Sequence, residues 1–448
     1  MLQNNAGYVL AHHITGGTAV EIAASVEAAL RAGGLGAGER LPTVRELAAK
    51  LRVSPTTVAA AYRTLRLRGL VVGQGRRGSA ISHHPPIAQG SAPARVPAHA
   101  RDLASGNPDP ALLPQIAPAL RRIEATPVLY GGELCDPALM RLARRSLEAD
   151  GVAADALTIV SGALDGIERA LGAWLRPGDR VAVEDPGFPS VYHLLSALGL
   201  VPVPVEVDDS GPVAESAERA LRSGVQALIV TTRAQNPYGS ALDERRAREL
   251  RALVRAHPDV LVLEDDHGAN VAGAPAHTLS GSGSERWAMV RSVSKSLGPD
   301  LRLAFLAGDE ATIARVEGRL ALGIRWVSHV LQRTVAALLG DREVARGLRA
   351  AEKTYTERRR ALVDALGERG VPAFGRSGMN VWVPVPDEGA AAAALLDAGY
   401  AVSTGARYRI RSAPALRITT AALDAADAPA VAEAVAHALR PARRSLAV

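Results

Sequence analysis

From residue 103 onward, short apolar runs alternate with helical segments, and most of the runs end at Gly, Pro, Asp or a small hydroxyl residue. "ALTIV", "RVAVEDPG", "ALIVTT", "VLVLEDD" and "AMVRSVS" have the length of strands rather than helices. Helical stretches such as "GALDGIERALGAWL" lie between them and supply crossovers. The expected fold class is α/β with a mostly parallel sheet. In such sheets ligands are held beyond the carboxyl ends of the strands.

The first 82 residues have a different pattern. "TAVEIAASVEAALRAGG" has apolar residues at helical spacing and ends on a glycine pair. Thr43 starts a short helix, "TVRELAAKL", and Ser54 caps a second, "PTTVAAAYRTLRLRG", with Pro55 at its first position. Two β-like runs, "LVVG" and "GSAIS", then flank a basic tip, "QGRR". Helix, short turn, helix and basic hairpin make a winged helix-turn-helix, whose second helix fits a major groove. Ser54, Thr56 and Thr57 stand at the start of that helix, and Arg45, Arg63, Arg76 and Arg77 can reach phosphates or a groove edge. Through residue 90 there are ten cations against four anions, so this segment carries the whole +6 of the chain. A basic head on a neutral body suggests a polyanion partner for the head; with a second helix sized for a major groove, that polyanion is expected to be double-stranded DNA.

At 448 residues the chain is long enough for two or three domains. "HHPPIAQGSAPARVPAHA" (83–100) has no periodicity and reads as a semi-extended linker. Its two histidines have no carboxylate or cysteine nearby, and no metal site is expected. The expected domains are 1–82, a linker over 83–102, and 103–448. The single Cys135 excludes an intrachain disulfide and fits a reducing cytoplasm. No apolar run reaches the length of a bilayer span, and the N-terminus lacks the pattern of a secretory signal.

Residues with chemistry cluster at the strand ends. Ser161, Gly162 and Ala163 come after "LTIV" at a helix start, where free N–H groups make an anion site. Phe188, in "EDPGFP", can stack on a flat ring, and Asn236, in "AQNPYGS", can reach a ring hydroxyl. "VLVLEDDHGAN" ends on Asp265, Asp266 and His267; Ser292, Lys295 and Arg302 come next. Each alone has an ordinary structural reading, as a turn, a helix cap or a core ring. Together they describe a ligand with a phosphate, a basic aromatic nitrogen and an aldehyde. That ligand is pyridoxal 5'-phosphate (PLP), held as a Schiff base on lysine.

Two resemblances sharpen this reading. "LPTVRELAAKLRVSPTTVAAAYRTLRLRGLV" resembles the DNA-binding head of GntR-type repressors over about residues 18–82. That resemblance puts Arg45, Thr56 and Thr57 at DNA-contacting positions, with Pro55 where many relatives carry arginine. Residues 103–440 resemble the fold type I aminotransferases in the order SGA, PGF, NP-x-G, EDD, S-x-S-K, Arg and a late Arg. The resemblance implies that Lys295 takes the PLP aldehyde, Asp265 pairs with the pyridine nitrogen, and Asn236 bonds the ring oxygen. Phe188 would stack on the ring, while Ser161, Gly162, Ala163, Ser292 and Arg302 hold the phosphate. Arg417, in "ALRITTAAL", falls where the family clamps a substrate carboxylate, and Tyr130, in "VLYGG", where a tyrosine reaches the phosphate of a neighbouring subunit. His267 stands where many relatives have a tyrosine near the ring oxygen, and Tyr238 where threonine is usual.

Head and body in this order resemble the MocR-type transcriptional regulators. The resemblance implies a homodimeric, PLP-dependent DNA-binding regulator whose effector is an amino acid, an amine or PLP itself, and whose chemistry is expected to stop at Schiff-base exchange or a partial transamination. The alternative is an active aminotransferase that carries a DNA-binding head.

Overall fold

A computed structural model of the chain describes residues 13–36, 38–73, 78–82, 96–124, 126–280 and 283–440. It divides into two compact units, a head built on the segment up to residue 94 and a body holding most of the remaining chain.

In the head, helices α1 (Ala19–Arg31), α2 (Val44–Leu51) and α3 (Pro55–Leu67) precede the strands β1 (Val71–Gly73) and β2 (Ser79–Ile81). Thr18 with Glu21 and Thr43 with Glu46 form reciprocal capping boxes, which satisfy the open N–H groups of α1 and α2. Between α2 and α3 the chain turns through Arg52, at φ 57°. Ile22, Val26, Leu47, Val58, Leu65 and Ile81 close a small core. Tyr62 is buried among them, and its hydroxyl donates to Pro42 O at 2.8 Å, which ties α3 to the entry of α2. The strands pair antiparallel with Val71 opposite Ile81, forming the stem of the wing.

The body opens with β3 (Arg101–Asp102). A large sheet is then built from β4 (Ala156–Val160), β5 (Arg180–Asp185), β6 (Val201–Asp208), β7 (Gly211–Pro212), β8 (Ala227–Thr231), β9 (Leu261–Asp266), β10 (Trp287–Ser292) and β11 (Ala304–Gly308). Their spatial order is β4-β11-β10-β9-β8-β5-β6-β7. β9 lies parallel between β8 and β10, and β11 runs antiparallel to both β10 and β4. Every residue of β8 to β11 is buried, as a sheet covered on both faces requires.

A smaller sheet comes next, with β12 (Asn380–Pro384), β14 (Ser403–Thr404) and β15 (Ala415–Thr419) in the order β12-β15-β14. β13 (Tyr400–Ala401) pairs in parallel with β3, which brings the start of the body against its last third. Leu103, Leu362, Val381, Leu416 and Val435 share the core behind this sheet. Among the described residues no helix is long and apolar enough to cross a membrane, and no three His, Cys, Asp or Glu side chains are grouped to hold a metal ion.

Candidate functional site: a lysine at the strand ends

Alternation along β9 decides which acidic residue faces which way. Glu264 and Asp266 share one face of the strand, and Asp265 takes the other. Asp266 is fully buried and receives Arg233 Nε at 2.8 Å and Arg291 Nε at 2.7 Å. Burial alone would raise its pKa, but the two guanidiniums hold it down at about 2. Glu264, also buried, accepts from Thr278 Oγ1 and Leu279 N, each at 2.8 Å.

Asp265 is different. Its Oδ2 accepts from His267 Nδ1 at 3.0 Å, while Oδ1 is buried with no partner among the described residues. A buried carboxylate oxygen left without a donor is costly in free energy, so an orphan of this kind marks a place for an external donor. Lys295 sits in the turn after β10, largely buried, and its Nζ donates to Gly106 O. Burial first, and Arg417 second, bring its pKa down to about 8 against the pull of Asp265. An amine tuned in this way loses its proton near neutrality, as a nucleophile toward an aldehyde must.

Burial alone would lower the pKa of His267; the charge and hydrogen bond of Asp265, with Asp266 helping and Lys295 opposing, raise it instead. A raised native pKa stabilises the fold fully below the unfolded value of 6.5, and that contribution is lost as pH rises through the native value. The unfolding free energy of the wild type should therefore exceed that of His267→Gln by most below about pH 6, and the gap should narrow as pH rises above that. Urea titrations of both proteins across that range check this; a constant gap would mean that the pair carries no proton.

Arg417 on β15 is 4% exposed, and no carboxylate pairs with it among the described residues. Its Nη1 donates to Asn236 Oδ1 at 3.2 Å and its Nη2 to Ala104 O; Nε is buried with no partner. The guanidinium carbon lies 5.0 Å from the ring centroid of Tyr408. Asn380 Nδ2 also donates to Asn236 Oδ1, at 3.4 Å, so the Asn236 amide is oriented with its own Nδ2 left to give.

At the end of β4, the helix α4 (Ala163–Trp174) begins with N–H groups that have no intrahelical acceptor. Gly162, at φ +96°, lets the Arg302 guanidinium lie close, since a Cβ there would stand 3.2 Å from Arg302 Nη2. Arg302 has no acidic partner among the described residues. The Ser161 amide is already spent, because it donates to Asp165 Oδ2 at 2.8 Å. Ser292 ends β10, and its Oγ accepts from Ser294 N at 3.2 Å. Phe188 is half-buried after the Asp185–Pro186 turn. Tyr130 is 82% exposed and packs edge-on against Trp326, with ring centroids 5.7 Å apart.

In the head, Arg45, Ser54, Thr56 and Arg63 are exposed and Thr57 is half-buried. The Ser54 hydroxyl is engaged locally: it accepts from Thr57 N at 3.1 Å and lies 2.7 Å from Thr56 Oγ1. Arg76 and Arg77 lie outside the described residues. Sequence reasoning missed Ala104, Gly106, Asn380 and Tyr408. The small residues of "ASGNP" carry a faint signal of close approach, whereas nothing in the sequence marks Asn380 or Tyr408.

Residues 101–435 match the family "Aminotransferase class I and II", and residues 18–81 match "Bacterial regulatory proteins, gntR family". The chain is 41% identical, over 95% of its own length and 99% of the relative's, to the vitamin B6 salvage pathway transcriptional repressor PtsJ of Salmonella typhimurium. It is 30% identical to the transcriptional regulator TauR of Rhodobacter capsulatus, over 78% and 80% of the two chains. With the pyridoxine biosynthesis regulator PdxR of Corynebacterium glutamicum it shares 28%, over 74% and 75%. The fold of the kynurenine aminotransferase of Pyrococcus horikoshii overlays with a TM-score of 0.69 at 22% identity, covering 77% of this chain and 91% of that one. A GntR-type head, an aminotransferase fold that implies PLP, and regulators alike over nearly the full length lead to one assignment. The chain belongs to the MocR-type transcriptional regulators, with a GntR-type DNA-binding head joined to an aminotransferase-like domain.

Proposed function

We propose that this regulator holds PLP at Lys295 and alters its grip on DNA according to what occupies that site. When bound, PLP supplies an aldehyde, a pyridine nitrogen, a ring hydroxyl and a phosphate. The observation that carries the reading is Asp265 Oδ1, a buried acceptor without a donor among the described residues, on a carboxylate that interacts electrostatically with a lysine tuned to about 8. Asp265 would keep the ring nitrogen protonated, and His267 fixes the orientation of Asp265. Asn236 would offer Nδ2 to the ring oxygen, and Phe188 would stack on the ring. Gly162, Ala163, Ser292 and Arg302 receive the phosphate, with Ser161 contributing its hydroxyl rather than its amide. Tyr130, exposed on the surface, reaches the phosphate of a second copy in a homodimer. The name of the 41% identical relative supports a gene set concerned with vitamin B6 supply, and hence PLP as the signal.

The test is operator affinity with and without PLP, which should differ by at least about fivefold, the low end of allosteric couplings. A footprint that ignores PLP would remove the reading. On the DNA side, Arg45→Ala should weaken binding about evenly across sequences and reduce the salt slope by about one if it meets a phosphate. If it meets a base edge, specificity at one position should relax instead, and a salt titration on matched and mismatched duplexes separates the two. A second reading rests on Arg417. A buried guanidinium with no carboxylate of its own favours an amino compound bearing a carboxylate as a further ligand.

A further inference from the structure

Two cations of the site donate to carbonyls of one short stretch: Arg417 to Ala104 O and Lys295 to Gly106 O. That stretch is the first part of the body after the linker. It is fastened at several points, all within the body. Arg101 N donates to Gly399 O and Leu103 N to Ala401 O, each at 2.8 Å, and Thr419 N returns a bond to Leu103 O at 2.8 Å. Thr419 closes β15, the strand that carries Arg417. Asp102 Oδ1 accepts from both Ala104 N and Ser105 N at 2.9 Å, a turn that aims the Ala104 carbonyl at the guanidinium.

A carbonyl is a neutral acceptor with one oxygen, whereas a carboxylate is charged and matches the guanidinium fork with two. A ligand carboxylate reaching Arg417 would therefore compete with Ala104 O for Nη2, and with Asn236 Oδ1 for Nη1. Asn236 is held independently by Asn380. The Ala104 carbonyl is a neutral single acceptor on a turn of backbone, so it is the partner that gives way.

We propose that the Ala104 carbonyl stands in for the effector's carboxylate on Arg417, so that a carboxylate ligand frees the end of the linker leading to the DNA-binding head. This rests on the reading that Arg417 receives a ligand carboxylate. The signal is mechanical and local: loss of the bond to Arg417 loosens the Asp102 turn and weakens one of the several bonds that fasten Arg101 to Ser105. The linker joins that point to the head, so a change at the turn is placed to reach the DNA-binding head.

The test uses the full-length protein loaded with PLP and maleate as the probe, a dicarboxylate with no amine to react with an aldehyde. Amide hydrogen exchange at Leu103, Ala104 and Ser105 should rise about tenfold with maleate, within the usual range of coupling between sites. Arg417→Gln should abolish that response. Asp102→Ala should raise exchange at the same amides without any ligand, and should shift affinity for the protein's own promoter DNA in the direction maleate does. Asp102→Asn, which keeps the acceptor, should behave as wild type. Protection that maleate leaves unchanged, whether it fails to bind or binds without effect, overturns the proposal. So does an Asp102→Ala protein with faster exchange and unaltered DNA affinity. A chain giving no visible absorbance band with PLP removes the cofactor reading instead, and the ligand-free Asp102→Ala arm still decides the coupling.

Discussion

Lys295→Ala is expected to abolish the visible absorbance that the wild type acquires with PLP, while the protein remains folded. The chain is unusually suited to this experiment, because it has three lysines in all: Lys50, Lys295 and Lys353. Lys50 is exposed on α2 of the head, and the Lys353 side chain is 79% exposed. Neither lies near a buried acceptor for a ring nitrogen. Nearly every other cation of the chain is arginine, which does not deprotonate in proteins and cannot serve as an amine nucleophile. Lys295 is thus the one largely buried amine among the described side chains, which is what the proposed role asks of it. The pKa of about 8 adds a pH signature: the rate at which the band appears should climb as pH rises toward that value and level off above it. Lys295→Arg keeps the charge and should be as inactive as the alanine variant. A band surviving in both would mean that the aldehyde is taken elsewhere, and the site would have to be sought away from β10.

How much of this was legible beforehand depended on the range of the interaction. The head could be read almost to the residue, since caps, Pro55 and the stop at Gly69 are local chemistry. α3 indeed starts at Pro55, with Ser54 as its cap. In the body, the five strand-like runs are β4, β5, β8, β9 and β10, and their carboxyl ends carry Gly162, Phe188, Asn236, Asp265 and Lys295. What stayed hidden was long-range. The "RLAFLAG" run reads like its neighbours, yet β11 is antiparallel to β10 and β4, because direction depends on the crossover and not on composition. The Ala104 carbonyl meets a guanidinium 313 positions away, and a backbone oxygen leaves no mark in a sequence. Asp165 taking the Ser161 amide was visible in principle as a first-turn acid, but the "SGA" motif drew attention to the phosphate instead.

Asp265 and Asp266 should separate, on substitution, into a residue of chemistry and a residue of stability. Asp266→Ala leaves Arg233 and Arg291, both under a tenth exposed, with only Asp150 between them, 2.9 Å from Arg233 Nη2 and 2.6 Å from Arg291 Nη2. Removing one partner from a buried ionic network typically costs about 3–5 kcal/mol, because the remaining charges lose their compensation where water cannot replace it. The native pKa of about 2, below the ordinary 3.8, gives the sign of the pH dependence. Asp266's stabilisation is complete above the unfolded value and lost as pH falls through the native one. The deficit of Asp266→Ala should hence be constant from about pH 5 to about pH 8 and shrink only in acid, opposite in sense to the His267 pair. Asp265→Asn keeps the shape and one acceptor for His267, and Oδ1 had no partner to lose. Its unfolding free energy should stay within about 1 kcal/mol of wild type. The same change removes the charge that would keep a ring nitrogen protonated, so PLP affinity should fall and the band should shift, although Lys295 can still take the aldehyde. Urea unfolding without cofactor and PLP titration of both variants make the comparison. Equal destabilisation by the two would show that Asp265 is as structural as its neighbour, and would take away the observation on which the cofactor site rests.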